Sequence, residues 1–444
     1  MHELFSPASR VQYMLDVEAA LARAEAACGV IPADAVAPIV AACRVEAIDL
    51  DSLARASVDA GVIAIPLVAQ LTAAVARDNP QAAKFVHWGA TSQDIVDTAL
   101  VLQLGAALKS IAAELAATGD ALVVQIAAHR TVVMVGRTWM QHALPITVGV
   151  KFAGWLDALS RHRERLDYAR KRVAVLQFGG AAGTLASLGG RGLDVANALA
   201  DELGLAVPNL PWHAHRDRIV EVATTLGLVT GTLGKIGRDV SLMMQTEVGE
   251  AFEPDRQGAG SSTMPHKRNP VACAAILAAA TRLPGLVATM LAAMMQEHER
   301  ALGGWQAEWE TLPEIVRVAA GALSRTRELV SGMTIAADAM RNNLELTQGF
   351  VMAEAVTLAL GARLGRLVAH ERVAAACRRA ADKGAHLRTV LCEDADIASL
   401  LSPAELDRLF EPNHYLGMAD AFVERVLLGW RAWDRGDLPT FVQG

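Results

Sequence analysis

Between residues 260 and 270 the chain reads Gly260-Ser261-Ser262-Thr263-Met264-Pro265-His266-Lys267-Arg268-Asn269-Pro270. Hydroxyls, a cation and an amide donor crowd a run whose glycine, serine and proline content breaks regular structure. A polar loop of this kind can close over an anion and supply donors where negative charge develops. Two further polar clusters lie upstream, His87-Trp88-Gly89-Ala90-Thr91-Ser92-Gln93-Asp94 and Gly136-Arg137-Thr138-Trp139-Met140-Gln141-His142-Ala143-Leu144-Pro145. They offer hydroxyls, amides and two imidazoles, groups suited to holding carboxylate oxygens and moving a proton. Composition alone leaves these stretches open between a reactive site and ordinary polar loops.

The elements around them must hold such loops in place, and they read as helices. Hydrophobic residues make up 52% of the 444 positions but aromatics only 5%, so the apolar content is mostly Ala, Leu and Val. Ala and Leu favour helix, and Ala lets helices approach closely. Ser9 with Gln12 is expected to form a capping box ahead of Val11, Met14, Leu15 and Leu21, with Gly29 and Pro32 closing that helix. Thr91 with Asp94 predicts a second box before Ile95, Ala99, Leu102 and Ala106. Apolar residues recur at helical spacing from Ile219 to Phe252, where Pro254 stops the run, and a new helix is expected near Val271. The β-branched stretch Thr131 to Val135 predicts a short extended piece. The expectation is an all-α protein with an N-terminal helical domain (1–98), a central long-helix bundle (99–340) carrying the loop 258–270, and a C-terminal helical domain (341–444).

Charge and cysteine usage narrow the function classes. Net charge is −7, from 41 basic and 48 acidic residues well interspersed, and no basic stripe invites nucleic acid. The five cysteines (Cys28, Cys43, Cys273, Cys377, Cys392) are scattered without a CxxC pair, which argues against disulfides and zinc and for a reducing, cytoplasmic compartment. No metal or other cofactor is expected. The N-terminus lacks a secretory pattern. The most apolar stretch, Ala274 to Met295, carries Arg282 and Pro284 near its middle and reads as a buried bundle helix rather than a membrane span.

The run GSSTMPHKRNP resembles the signature loop of the fumarase/aspartase superfamily. The clusters at 87–94 and 136–145 resemble its first and second characteristic regions, and Gln245-Thr246-Glu247-Val248-Gly249-Glu250 to Glu253-Pro254 resembles the segment entering the loop. The likeness runs from about Leu15 to Gly417. It implies a three-domain helical fold whose central helices join in a homotetramer, each active site drawing its regions from three subunits. It also implies making or breaking a bond β to a carboxylate by way of a carbanion held as an aci-carboxylate. Carried onto this sequence, Ser261 handles the carbon-bound proton, with Ser262 beside it at the substrate. Lys267 and Asn269 bind the carboxylate on which charge accumulates, and Thr91, Ser92 and Gln141 hold other carboxylate oxygens. His142 is a candidate substrate contact or proton donor, and His87 a candidate contact; either ring could equally be a satisfied structural one. Arg300 is a candidate carboxylate binder, or a solvated cation on a helix face.

The departures from the superfamily pattern narrow the chemistry. Fumarase and adenylosuccinate lyase carry a histidine after Arg-Thr, paired with a glutamate shortly after the signature loop, to serve the leaving group. Here those positions hold Trp139 and Ala274. Hydroxide or an amine leaves badly unless protonated, and general-acid help is worth about 10²–10⁴-fold. A carboxylate, with a conjugate-acid pKa of about 4, needs none. The pattern therefore points to the lactone-forming branch of the superfamily, in which the group added or expelled is the substrate's own carboxylate, and to a carboxymuconate as substrate. Gln296-Glu297-His298-Glu299-Arg300 and His414-Tyr415-Leu416-Gly417 resemble the same branch. Trp309 stands where adenylosuccinate lyases place an arginine for the nucleotide phosphate, and an indole cannot pair with phosphate. Other readings stay open: an adenylosuccinate-lyase-like enzyme, a lyase expelling another weakly basic group such as nitrite from a substituted succinate, and a non-catalytic structural relative.

Overall fold

The computed structural model describes residues 1–255, 264, 266–300 and 302–434. In chain order come α1 (Pro7–Ala27), α2 (Val36–Ala42), α3 (Leu50–Ala60), α4 (Ala64–Asp78) and the long α5 (Ser92–His129). The hairpin β1 (Val133–Thr138) and β2 (Gln141–Thr147) follows, then α6 (Val148–Val173), α7 (Gly192–Leu203) and α8 (Asp217–Met243). Next are β3 (Ala251–Phe252), α9 (Val271–Ala292), α10 (Gly304–Gly332) and β4 (Thr334–Ile335), with shorter helices from Ala337 to Asp434. Among the described residues, sheet is confined to the antiparallel pairs β1–β2 and β3–β4. The protein is all-α, as its composition predicts.

The chain divides into two compact units: Met1–Glu114 with His162–Gly231 and Ala278–Leu323, and Leu115–Arg161 with Thr232–Leu277 and Ser324–Gly444. In the first, α1 packs on α7 over a core that includes Met14, Leu15, Leu21, Leu67, Leu71, Ile95 and Leu199, each at most 1% exposed. The cap of α1 lies one turn earlier than expected. Ser6 accepts from the Ser9 backbone N–H at 3.2 Å, and Pro7 opens the helix, where its missing N–H costs nothing. Gln12, expected to close a box with Ser9, instead donates to the Cys43 carbonyl and accepts from the Val45 N–H.

At α5 half of the expected box forms: Asp94 Oδ2 accepts from the Thr91 N–H at 3.0 Å, while the Thr91 hydroxyl is engaged elsewhere. Asp94 is 1% exposed and also accepts from Gly179 N, Gly180 N and Gln177 Nε2, and it lies 2.7 Å from His213 Nε2. A buried carboxylate this well supplied with donors fixes the entry of α5 to the 177–180 segment. Deeper in the unit, the wholly buried Arg216 grips Asp97 and Glu308, joining α5 to α10; loss of one partner from such a network costs about 3–5 kcal/mol.

In the second unit the extended piece expected at 131–135 is a full hairpin. Val133 pairs Thr147, Arg137 pairs His142 and Thr138 pairs Gln141, with a bulge between Val135 and Arg137. Its two-residue tip is Trp139 and Met140, both at positive φ (50° and 66°), the handedness a tight hairpin demands. The helix expected to reach Phe252 ends at Met243. Gly249 turns at φ +56°, and residues 251–252 leave as a strand paired with β4, because Glu250 is needed in a buried ion pair with Arg137.

α9 starts at Val271 as expected, but the burial expected for it is not found within one chain. By length and composition α5, α8 and α9 could each cross a membrane; α5 and α8 bury 61% of their most apolar window inside the protein, α9 only 22%. Val271 and Leu291 are about half exposed. Cys273, Ile276, Leu283 and Met290 form one fully buried stripe, while the small apolar residues on the other faces of the helix stay uncovered.

Candidate active site

The first region is built in the first unit. Ahead of α5 the backbone bends through His87 (φ +59°) and Gly89 (φ +76°). A Cβ on Gly89 would come within 2.6 Å of Leu188, so the bend admits no side chain there. Thr91 precedes α5, and Ser92 is its first residue. Arg300 donates from Nη1 to the Thr91 hydroxyl oxygen at 2.7 Å, so this arginine faces the cluster rather than bulk solvent. His87 Nδ1 lies 2.6 Å from Glu18 Oε1, with the glutamate side chain 1% and the imidazole 17% exposed. Burial pulls the His87 ring down, but the charge and hydrogen bond of Glu18, with Asp94 further off, outweigh it and hold the ring above its ordinary value.

The second and third regions belong to the second unit. Gln141 is exposed and His142 half-buried at the start of β2. Across the hairpin, Arg137 binds the fully buried Glu250 through both Nη atoms, at 2.8 and 2.7 Å, and Asn343 Nδ2 donates to the same carboxylate at 2.8 Å. His142 Nδ1 is buried and has no hydrogen-bond partner. Burial first, and then the Arg137 cation, push the His142 pKa down against the opposing charge of Glu250, which leaves a neutral ring at neutral pH. Lys267 (exposed) and Asn269 (half-buried) stand just ahead of α9, and among the described residues neither side chain makes a hydrogen bond. The helix itself is capped from within: Glu253 accepts from Ala272 N at 2.9 Å and Cys273 N at 2.7 Å. Ser261 and Ser262 lie outside the described residues. Each unit thus holds part of the expected set: His87, Thr91, Ser92 and Arg300 in one, Gln141, His142, Lys267 and Asn269 in the other.

The leaving-group positions carry no acid. Trp139 is 98% exposed at the hairpin tip, and Ala274 presents only a methyl group on the outer face of α9. Trp309 lies edge-on to Trp305 at 5.0 Å, with the Arg10 guanidinium 5.7 Å above its ring. Non-glycine residues at positive φ cost roughly 1–3 kcal/mol each and concentrate where function over-determines the backbone; His87, Trp139, Met140 and His298 all fall in or beside these regions. Among the described residues, no group of three His, Cys, Asp or Glu side chains is arranged to hold a metal.

Two groups escape sequence reasoning. Glu18 is a carboxylate in the otherwise apolar run Val17-Glu18-Ala19-Ala20, a signal that a buried partner must exist. Lys151, in the first turn of α6, is partly buried and makes no hydrogen bond or ion pair among the described residues; burial lowers its pKa, against the charge of Asp239. A lysine between Val150 and Phe152 is the corresponding signal.

The chain matches the model of the lyase family over residues 1–285 and that of the adenylosuccinate lyase C-terminus over residues 349–426. It is 57% identical to a 3-carboxy-cis,cis-muconate cycloisomerase from Pseudomonas aeruginosa, covering 96% of this chain and 93% of that protein. It is 42% identical to nitrosuccinate lyase from Streptomyces davaonensis, covering 96% of this chain and 91% of that protein. Among solved structures, 3-carboxy-cis,cis-muconate lactonizing enzyme from Pseudomonas putida matches with a TM-score of 0.93 at 53% identity, covering 98% of this chain and 97% of the other. With the family matched over more than half its length and these relatives aligned along almost all of it, the chain belongs to the lyase family of the fumarase/aspartase superfamily.

Proposed function

We propose that this protein is a cycloisomerase, an intramolecular lyase that closes 3-carboxy-cis,cis-muconate to 4-carboxymuconolactone. We place it in the protocatechuate branch of the β-ketoadipate route of aromatic degradation, as a cytoplasmic homotetramer. The observation that carries the reading is the pair Trp139 and Ala274: an exposed indole and a methyl group stand where a proton donor for the leaving group would be required. Only a group that departs or adds without protonation suits such a site, and an internal carboxylate is one. The likeness to named cycloisomerases at 57% identity supports the same substrate.

In the lactonising direction one substrate carboxylate attacks the conjugated double bond. Charge moves to the neighbouring carboxylate, where Lys267 and Asn269 meet it with side chains that make no other hydrogen bond among the described residues. Ser261, or a group beside it, delivers the proton to carbon. The Thr91 hydroxyl oxygen already accepts from Arg300, so its own proton is free to be given to a substrate oxygen. Ser92, Gln141 and Ser262 hold further oxygens, and the neutral His142 ring contacts the substrate. The apolar, largely uncovered α9 supports assembly into a tetramer, in which these regions meet across copies.

The test is an ultraviolet assay of the purified protein with 3-carboxy-cis,cis-muconate beside a panel of substituted succinates. Lactone is the expected product, and faster release of nitrite from nitrosuccinate would favour the second reading. That reading rests on the same Trp139 and Ala274 and on the likeness to nitrosuccinate lyase.

A further inference from the structure

We propose that Glu18 is a positioning residue that keeps His87 doubly protonated, so that the first region of the site presents a fixed imidazolium to a substrate carboxylate. The inference rests on the cycloisomerase reading for the identity of the substrate, and on geometry for the rest.

Glu18 sits on the buried face of α1 among Met14, Leu15, Leu21 and Ala22, at 2% exposure. A carboxylate in such surroundings must be paired or protonated. Its contact with His87 Nδ1 at 2.6 Å is within the range of charge-assisted hydrogen bonds. Two turns further along the same face, Glu25 is fully buried, and neither of its oxygens has a hydrogen-bond partner. A carboxyl group without donors in an apolar core resists ionising. Burial, and then the charge of Glu18, push the Glu25 pKa up to about 9, so Glu25 keeps its proton at neutral pH.

The ionisable groups that bear on the His87 ring are Glu18 from α1 and Asp94 from α5, both anionic partners of a cation. With Nδ1 committed to Glu18, Nε2 makes no hydrogen bond among the described residues, and the ring keeps 17% of its surface open. The left-handed backbone of His87 holds the ring at the bend that leads directly into Thr91. The arrangement is that of a carboxylate receptor: a buried counter-ion behind, a cation in the middle, and a free N–H in front.

The test uses the full-length protein labelled with ¹⁵N-histidine, the His87 ring being assigned by its loss in His87→Gln. Both ring nitrogens of His87 are expected to be protonated at pH 7.5. Glu18→Gln is expected to lower the midpoint by about one unit or more, while Glu25→Gln leaves it in place. With 3-carboxy-cis,cis-muconate, Glu18→Gln is expected to raise KM about tenfold at pH 7.5 with a smaller change in kcat, and to recover KM as the pH falls and the ring recharges. A neutral His87 in the parent protein at pH 7.5 overturns the proposal, and that measurement does not depend on the variants folding. So does an unmoved midpoint in Glu18→Gln, a lowered one in Glu25→Gln, or a KM defect equal at every pH. If the parent makes no lactone at all, the proposed function fails while the titration still decides the state of His87.

Discussion

Arg137 and Glu250 form a two-pronged ion pair, 2.8 and 2.7 Å, between the β1–β2 hairpin and the segment that leads toward the signature loop. The two residues are 113 positions apart, and the carboxylate is completely buried while the guanidinium keeps a quarter of its surface. The pair therefore fixes where Trp139, Gln141 and His142 stand relative to residues 250–253, which begin the approach to Lys267 and Asn269.

Breaking that pair is expected to be costly. Arg137→Ala leaves the Glu250 charge with Asn343 alone inside the protein, and an orphaned buried charge costs about 3–5 kcal/mol. Chemical denaturation should show a loss of that size, and Arg137→Ala paired with Glu250→Gln should recover part of it. A loss below about 1 kcal/mol would mean that solvent reaches the pair and that it behaves as a surface contact.

The unassisted departure of a carboxylate predicts tolerance at the hairpin tip. Replacing a residue that delivers a proton in the transition state costs about 10²–10⁴-fold. Trp139→Phe, which keeps the ring and discards the indole N–H, is expected to retain lactone formation within about tenfold of the parent, the range below that for lost proton transfer. Steady-state kinetics decide it; a fall of several hundredfold in kcat would show that the indole takes part in the chemistry.

Helix starts were legible where the signal is local. Pro270 followed by an apolar run places α9 at Val271, and the three-residue reach from Thr91 to Asp94 places α5. The cap of α1 was misplaced by one turn because Ser6-Pro7 and Ser9 compete, and only Ser6 has an extended backbone (φ −70°, ψ 156°). The end of α8 was not legible, since what draws Glu250 out of helix is an arginine far away in sequence. Glu18 stayed hidden for the same reason: its partner His87 is 69 residues distant. The second strand of the hairpin lacks alternation and contains Pro145, so only the first announced itself. Apolar composition showed that α9 must be covered but not by what.

Glu25 predicts a pH dependence of stability. Its folded pKa, about 9, lies above the unfolded carboxyl value of about 4.3. Between those values the folded state binds more protons than the unfolded one, so stability falls as pH rises through the window. Glu25→Gln removes the titration while keeping shape. Thermal melts should place the variant above the parent by a margin that grows from pH 5 to pH 9, and a margin constant across that range would mean that Glu25 is not neutral in the folded protein.

Lys267 and Asn269 predict the opposite balance of effects. Neither side chain makes a hydrogen bond among the described residues, so no described contact depends on them, and Lys267→Met and Asn269→Ala should melt with the parent. Both are placed where negative charge gathers in the transition state, and loss of one such donor costs about 10²–10³-fold in kcat. Lys267→Met is expected at the larger end, because a full charge is lost rather than a dipole. Lys267→Arg is expected to recover only part, since a planar fork does not reproduce a compact ammonium. Turnover within tenfold of the parent in Lys267→Met would remove the lysine from the chemistry and shift the stabilising charge to another cation, such as Arg300, His87 or Lys151.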